Sequence, residues 1–300
     1  MSEPATELVE RVRALYGLEV RSVRPLLGGY DVWARSWCLD SDRGPLVLRV
    51  DRAVSVQTAP WLADVVAGAA AAGVPCPAPI AALDGTRAFA AGGATVTVRP
   101  FAEGVVLDRD DSAQVAAAGA TLGLLHRALA DFPRRRPTPS PWAACRWPGD
   151  RDPPALRDPA LDRWEAAFRS KRAYVRGVVH GDFYAENLLW CAGGVNAVID
   201  FSEARVDAHV EFAWATWEFG HDGTSSELEI DRARTFLTGY HEVAGSWEPG
   251  TAEVLVPLMR IEMRLNARYS LDDPEDAEYG TALQRAFTGM AGQSAIPLLD

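Results

Sequence analysis

The chain has 300 residues with a formal net charge of −11, 48% apolar and 24% charged side chains. That composition gives one large or two modest globular domains with ample core, and excludes a mainly disordered chain, a collagen or a long coiled coil. The charge is uneven: residues 201–300 hold 18 acidic and 7 basic side chains, whereas residues 1–200 hold 23 of each. No nucleic-acid partner is expected, because a phosphate backbone needs a basic face. The opening residues carry Glu3, Glu7 and Glu10 and no apolar run, so no secretory signal is expected. The uncharged stretch Val65 to Leu83 contains Pro75, Pro77 and Pro79, which would break a spanning helix. A cytoplasmic protein without a membrane segment follows. Cys38, Cys76, Cys145 and Cys191 lie far apart with no CxxC pair, which suits reduced thiols rather than a disulfide framework.

In chain order, an amphipathic opening helix carries Leu8, Val9, Val12 and Leu15. Strand-like runs follow at Val20–Leu27, Val32–Leu39 and Leu46–Val50, with turns at Gly28-Gly29 and Asp40–Gly44. A helix is expected from about Pro60 to Ala72, closed by Gly73. Two more strands, one at Ile80–Leu83 or Arg87–Ala90 and one at Thr95–Val98, lead to Arg99-Pro100-Phe101. Beyond Glu103-Gly104 the pattern turns helical, first at Ser112–Leu129 and later at Leu161–Ser170. Between them, residues 132–159 hold eight of the 20 prolines and six arginines, so an inserted loop is expected there. Apolar runs around Val178-Val179 and Val195–Ile199 bracket a polar turn, and everything after Phe212 reads as helices.

That polar turn carries the chemistry. It places His180, Asp182, Asn187 and Asp200 around the two apolar runs, with Asn187 five residues and Asp200 eighteen residues after Asp182. Protein kinases show the same Asp-to-Asn offset in H-R-D-L-x-x-x-N, followed by D-F-G. Phosphoryl transfer asks a protein mainly for positioning and charge neutralisation. One carboxylate orients the attacking hydroxyl and accepts its proton, while an amide oxygen and a second carboxylate hold Mg²⁺ on the phosphates.

On His180-Gly181-Asp182 with Asn187, and Ile199-Asp200-Phe201, the segment resembles the aminoglycoside phosphotransferase and choline kinase superfamily. Asp207 to Ala213 is a weakened match to the D-P-x-x-D-L-A stretch that usually follows. The resemblance implies an α+β, bilobal protein-kinase-like fold. Residues 1–102 would form a small antiparallel-sheet lobe for the nucleotide, and residues 103–300 a mostly helical lobe carrying the catalytic loop 178–201. It also implies ATP (or GTP) and Mg²⁺ as cofactors and transfer to a hydroxyl of an antibiotic, or of a metabolite such as homoserine or choline. Asp182 would be catalytic, with His180 bracing the loop rather than carrying protons, and Asn187 and Asp200 would hold the metal.

In the smaller lobe, Val47 and Arg49 share one face of their strand. Val47 stands where kinases place a small residue beside adenine. Arg49 stands where they place the phosphate-binding lysine of V-A-I-K. Lys171 is the only lysine in the chain, so no other is available to the first lobe. Arg49 is therefore expected on the α- or β-phosphate; the usual helix glutamate is missing, and the following helix offers only Asp64, about two residues from that place, so the acidic partner of Arg49 stays open. Gly28-Gly29 is the candidate phosphate flap, and Arg99 and Phe101 are expected to offer backbone groups to the adenine edge. His126 reads as a packed core histidine and Arg134–Arg136 as a solvated loop. The acidic last third favours an amine-bearing, cationic acceptor. Two rivals stand: a catalytically silent nucleotide-binding module, favoured by the missing helix glutamate, and a metal-dependent hydrolase, which would need further ligands.

Overall fold

Alternation of side chains builds the first layer. The computed structural model describes residues 6–26, 33–132, 136–138, 152–170, 176–208, 211–221, 227–245, 251–272 and 276–293. Strands β1 (Val20–Pro25), β2 (Ala34–Ser41), β3 (Gly44–Asp51), β4 (Phe89–Ala91) and β5 (Ala94–Pro100) form an antiparallel sheet in the order β1-β2-β3-β5-β4. Leu46 and Leu48 of β3 and Val96 and Val98 of β5 face helix α1 (Thr6–Tyr16), which covers them with Val9, Val12 and Tyr16. The period of two then sends Val47, Arg49 and Asp51, and Thr95, Thr97 and Arg99, to the opposite face. Register pairs Val47 with Arg99, Arg49 with Thr97 and Asp51 with Thr95. The alternative strand at Ile80–Leu83 does not form; Phe89–Ala91 is the strand beside β5.

Helix α2 (Ala59–Ala71) is one residue out of step with expectation, with Pro60 in its first turn. Its apolar residues Leu62, Val65, Val66 and Ala69 join the core of the C-terminal helices, not the cluster under α1. The helix thus belongs by sequence to the first lobe and by packing to the second.

The helical lobe comprises α3 (Ser112–Leu129), α4 (Pro159–Ser170), α5 (Glu211–Gly220), α6 (Ile230–Ala244), α7 (Thr251–Asp272) and α8 (Ala277–Gly289). Helix α3 spans the residues its periodicity predicts, and the Asp111 side chain caps it by accepting from the Ala113 and Gln114 N–H groups. It crosses α6 at close range through glycines. A Cβ on Gly119 would lie 2.0 Å from the Phe236 carbonyl oxygen, and one on Gly239 would lie 2.1 Å from that of Ala116. Backbone carbonyls cannot rotate aside, so overpacking here exceeds the helix propensity that alanine adds. Gly119→Ala is expected to cost about 1–3 kcal/mol, read as a fall of several degrees in Tm. An unchanged Tm would refute this crossing.

Short strands missing from the sequence reading complete the lobe. β7 (Arg176–Val179) pairs with β10 (Arg205–Ala208), and β8 (Leu188–Cys191) lies between β6 (Val105–Val106) and β9 (Gly194–Val198). The proline-rich stretch is described only in part. Its exit forms a 3-10 turn at Pro154–Leu156 and is held to α7 by arginines one turn apart. Arg260 meets Asp158 at 2.8 Å, Arg264 meets Asp162 at 2.5 Å and Arg268 Nη2 donates to Asp152 at 2.8 Å. Among the described residues, Cys38, Cys76 and Cys191 are free, and no helix is long and apolar enough to cross a membrane.

Candidate active site

The chain leaves β7 at Val179 and enters the loop that carries His180 and Asp182. Gly181 adopts φ +89°, and a Cβ there would meet the Glu203 carbonyl oxygen at 2.2 Å, so only glycine fits this bend. Glu211, at the start of α5, holds the bend from below. Its carboxylate accepts the His180 N–H at 3.0 Å and also the Gly181 N–H. His126 of α3 bonds the same carboxylate at 3.1 Å and the Tyr240 hydroxyl at 2.9 Å. The expected core histidine is therefore part of the catalytic-loop brace. Burial pushes Glu211 up, but its bonds to His126 and the charges nearby hold it below the usual glutamate range.

His180 is fully buried and both its ring nitrogens are engaged with backbone: Nε2 donates to the Ile199 carbonyl at 2.9 Å and Nδ1 accepts the Asp182 N–H at 3.2 Å. Burial lowers its pKa, which keeps the ring neutral. It positions Asp182 and ties the loop to Asp200 through Ile199.

Asn187 sits on a 3-10 turn, Ala185–Asn187, and its Nδ2 donates to the Asp182 carbonyl at 2.8 Å and to Asp182 Oδ2 at 3.1 Å. Its Oδ1 has no hydrogen-bond partner among the described residues. Burial, then the neighbouring Asp200 and Glu203, pushes Asp182 up to about 8. Asp200 follows β9 in the left-handed region at φ +60°, and its carboxylate accepts the Ser202 N–H at 3.3 Å. Burial would raise it, yet Arg49 and Arg99 overcome this and hold it low.

Arg49 does not pair with Asp64, which is exposed on α2. Instead its guanidinium lies 3.1 Å from Asp51 and 3.0 Å from Asp200, with Arg49 and Asp51 side chains 12% and 8% exposed. Asp51 is fixed in turn by accepting the Ala53 and Val54 N–H groups at 2.8 and 2.9 Å. The acidic partner is thus supplied by the end of the same strand, two residues on. No sequence signal beyond the i, i+2 spacing marks Asp51.

The hinge expectation changes. The Phe101 N–H is spent on the Pro45 carbonyl at 3.1 Å, and it is the Arg99 side chain that faces the cleft, beside Arg49, Asp51 and Asp200. Arg136 is also corrected: rather than lying in solvent, it donates to the Ser202 carbonyl at 3.1 Å and to that of Ala204, behind Asp200. Gly28 and Gly29 lie outside the described residues. Val47 is buried on the cleft face, opposite Arg99.

A second acidic group lies on the helical side of Asp182. Glu218 of α5 is 7% exposed, bonded by the Tyr279 hydroxyl at 3.0 Å and 3.9 Å from Arg109. Burial pushes it up to about 7. The folded state then holds that proton more tightly than the unfolded chain, so stability falls as pH rises from about 4.5 through 7. Glu218→Gln removes the dependence, worth up to about 3 kcal/mol at 1.36 kcal/mol per pH unit. Melts at pH 5 and pH 8 should differ less in the variant than in wild type; equal differences would refute the burial argument.

A family model described as "Phosphotransferase enzyme family" matches residues 22–245. A homoserine kinase of Gluconacetobacter diazotrophicus is 29% identical over 222 residues, covering 69% of this chain and 68% of that protein. A homoserine kinase of Methylorubrum populi is 30% identical over 236 residues, with 74% and 72% covered. Among solved structures, the amicoumacin kinase hAmiN superposes with TM-score 0.72 at 13% identity, covering 96% of this chain and 94% of that one. The aminoglycoside phosphotransferase APH(4)-Ia does so at 0.64 and 20%, covering 97% and 100%. These likenesses confirm the bilobal α+β kinase-like fold, and nothing in them favours a silent nucleotide-binding module. With three quarters of its length matched and the Asp182, Asn187 and Asp200 constellation assembled, the chain belongs to the phosphotransferase enzyme family and is an ATP-dependent kinase acting on a hydroxyl of a small molecule.

Proposed function

We propose that this kinase uses Mg²⁺-bound ATP to phosphorylate a small, amine-bearing alcohol of the homoserine type in the cytoplasm. The observation that carries the reading is the use of Asn187: its amide nitrogen is committed to Asp182, which leaves Oδ1 and the Asp200 carboxylate as neighbouring hard oxygen donors. Such a pair suits Mg²⁺, which takes few protein ligands and the rest from phosphates and water. Bound there, the ion would neutralise charge on the transferring phosphoryl group. Asp182 orients the acceptor hydroxyl and receives its proton, and its raised pKa places it near neutrality, where a general base works best. Arg49 grips a phosphate, Val47 lies beside the base and Gly28-Gly29 forms the flap. Residues 1–102 and 103–300 divide as nucleotide and acceptor lobes, with α2 shared.

The acceptor preference rests on charge. Glu218 and Asp182 interact electrostatically, and an ammonium between them relieves two buried carboxylates. Arg109 stands beside Glu218 to meet a carboxylate, so an amino-acid alcohol satisfies both. The homoserine kinase relatives support this reading. The test is a screen of purified protein with MgATP against homoserine, choline, an aminoglycoside and a macrolide, scored by mass gain of one phosphoryl group. Homoserine is the expected product-former. No gain with any acceptor, while ATP still binds, would return the silent-module reading.

A further inference from the structure

Among the described residues, Arg99 is the cation lining the cleft that bonds no carboxylate. Arg49 is shared between Asp51 and Asp200, the two carboxylates that line the cavity between the sheet and α2. The Arg99 guanidinium lines the same cavity and makes no hydrogen bond or ion pair with any described residue. It feels Asp51 and Asp200 only at longer range. The α2 wall is apolar, with Ala59, Leu62, Ala63 and Val66, so no side chain there compensates it. Burial, then the like charge of Arg49, pulls Arg99 down to about 10, which still leaves it charged at neutral pH. A half-buried guanidinium with no bonded counter-charge is costly to the folded state, and such a cation lining a cavity suits an anion. A planar fork of N–H donors matches phosphate oxygens in particular.

We infer that the Arg99 side chain binds nucleotide phosphate directly, as a second phosphate cation reaching across from β5. The inference rests on the proposed nucleotide cleft and adds a residue whose expected part was only its backbone. The register explains the reach. Arg99 starts opposite Val47, beside the base, and its side chain lines the same cavity as Arg49 and Asp200, within electrostatic reach of both. Arg49 arrives with both of its carboxylates engaged; Arg99 arrives free.

The experiment is calorimetric binding of ATP, adenosine and tripolyphosphate to wild type, Arg99→Met and Arg99→Lys, alongside melts of the three proteins without ligand. Arg99→Met is expected to weaken ATP and tripolyphosphate roughly 10- to 100-fold, the worth of a charge-assisted hydrogen bond, while adenosine binding stays unchanged. Arg99→Lys recovers part of that loss. The Tm of Arg99→Met stays level or rises, because a half-buried charge with no bonded partner has been removed; a fall in Tm would mark Arg99 as a structural prop and overturn the inference. Equal weakening of ATP and adenosine would assign it to the base and overturn it too. Wild type that binds ATP with Arg99→Met binding it equally well would sink this inference alone. Wild type that binds no ATP would sink the proposed nucleotide cleft as well.

Discussion

Asp182→Asn is expected to lower turnover roughly 10²–10⁴-fold, the range for a positioned general base, while leaving the fold and ATP binding nearly intact. The amide has the carboxylate's shape, so it can still accept from Asn187 Nδ2, now 3.1 Å from Asp182 Oδ2. The Asp182 N–H bond to His180 is untouched, because it belongs to backbone. What disappears is the ability to take a proton from the acceptor hydroxyl. Stability moves the other way. A carboxylic acid pushed up to about 8 by burial and by Asp200 penalises the folded state once ionised, so the variant should melt no lower than wild type at pH 9. Near-wild-type turnover in a folded Asp182→Asn protein would remove Asp182 from the mechanism.

The second large effect concerns Asp200. In wild type, Mg²⁺ should tighten ATP binding; in Asp200→Ala that tightening should vanish. The substitution also removes one of the two carboxylates that meet Arg49 and places alanine at φ +60°, a left-handed backbone that costs about 1–2 kcal/mol. Asp200→Asn serves as the companion, since asparagine tolerates that backbone and retains one oxygen donor. Calorimetry of ATP with and without Mg²⁺ on both variants separates the two roles. A shared loss of the Mg²⁺ effect assigns the metal to the Asp200 carboxylate, and a loss in Asp200→Ala alone assigns it to the oxygen that asparagine retains when the two variants melt alike, or to backbone strain when Asp200→Ala melts lower. Should both variants keep the wild-type Mg²⁺ effect, the ligand lies elsewhere.

Some of this protein was readable from its residues in a row. His180, Asp182, Asn187 and Asp200 fall within one contiguous segment, so their spacing along the chain already fixes the types of group that meet. Helix α3 was readable because its apolar stripe and its Asp111 cap are local. The outer face of β3 was readable from alternation alone, with Leu46 and Leu48 under α1.

Other features depend on contacts between distant segments, and there local pattern is silent. The acid for Arg49 was sought on α2, but α2 packs into the C-terminal core and leaves Asp64 in solvent, so the turn that ends β3 supplies Asp51. His126 looked like any apolar-face histidine; only the approach of α5 and α6 brings Glu211 and Tyr240 to its two nitrogens and thereby ties it to the catalytic loop. Arg136 looked solvated until the 201–203 turn presented carbonyls to it. The pairing register of β3 with β5 decided where Arg99 points, since a shift of one residue would send its side chain to the opposite face, under α1. Local sequence determined which chemistry this chain carries. The tertiary structure decided which charges are paired and which are left free, because desolvation and ion pairing depend on neighbours that no sequence window contains.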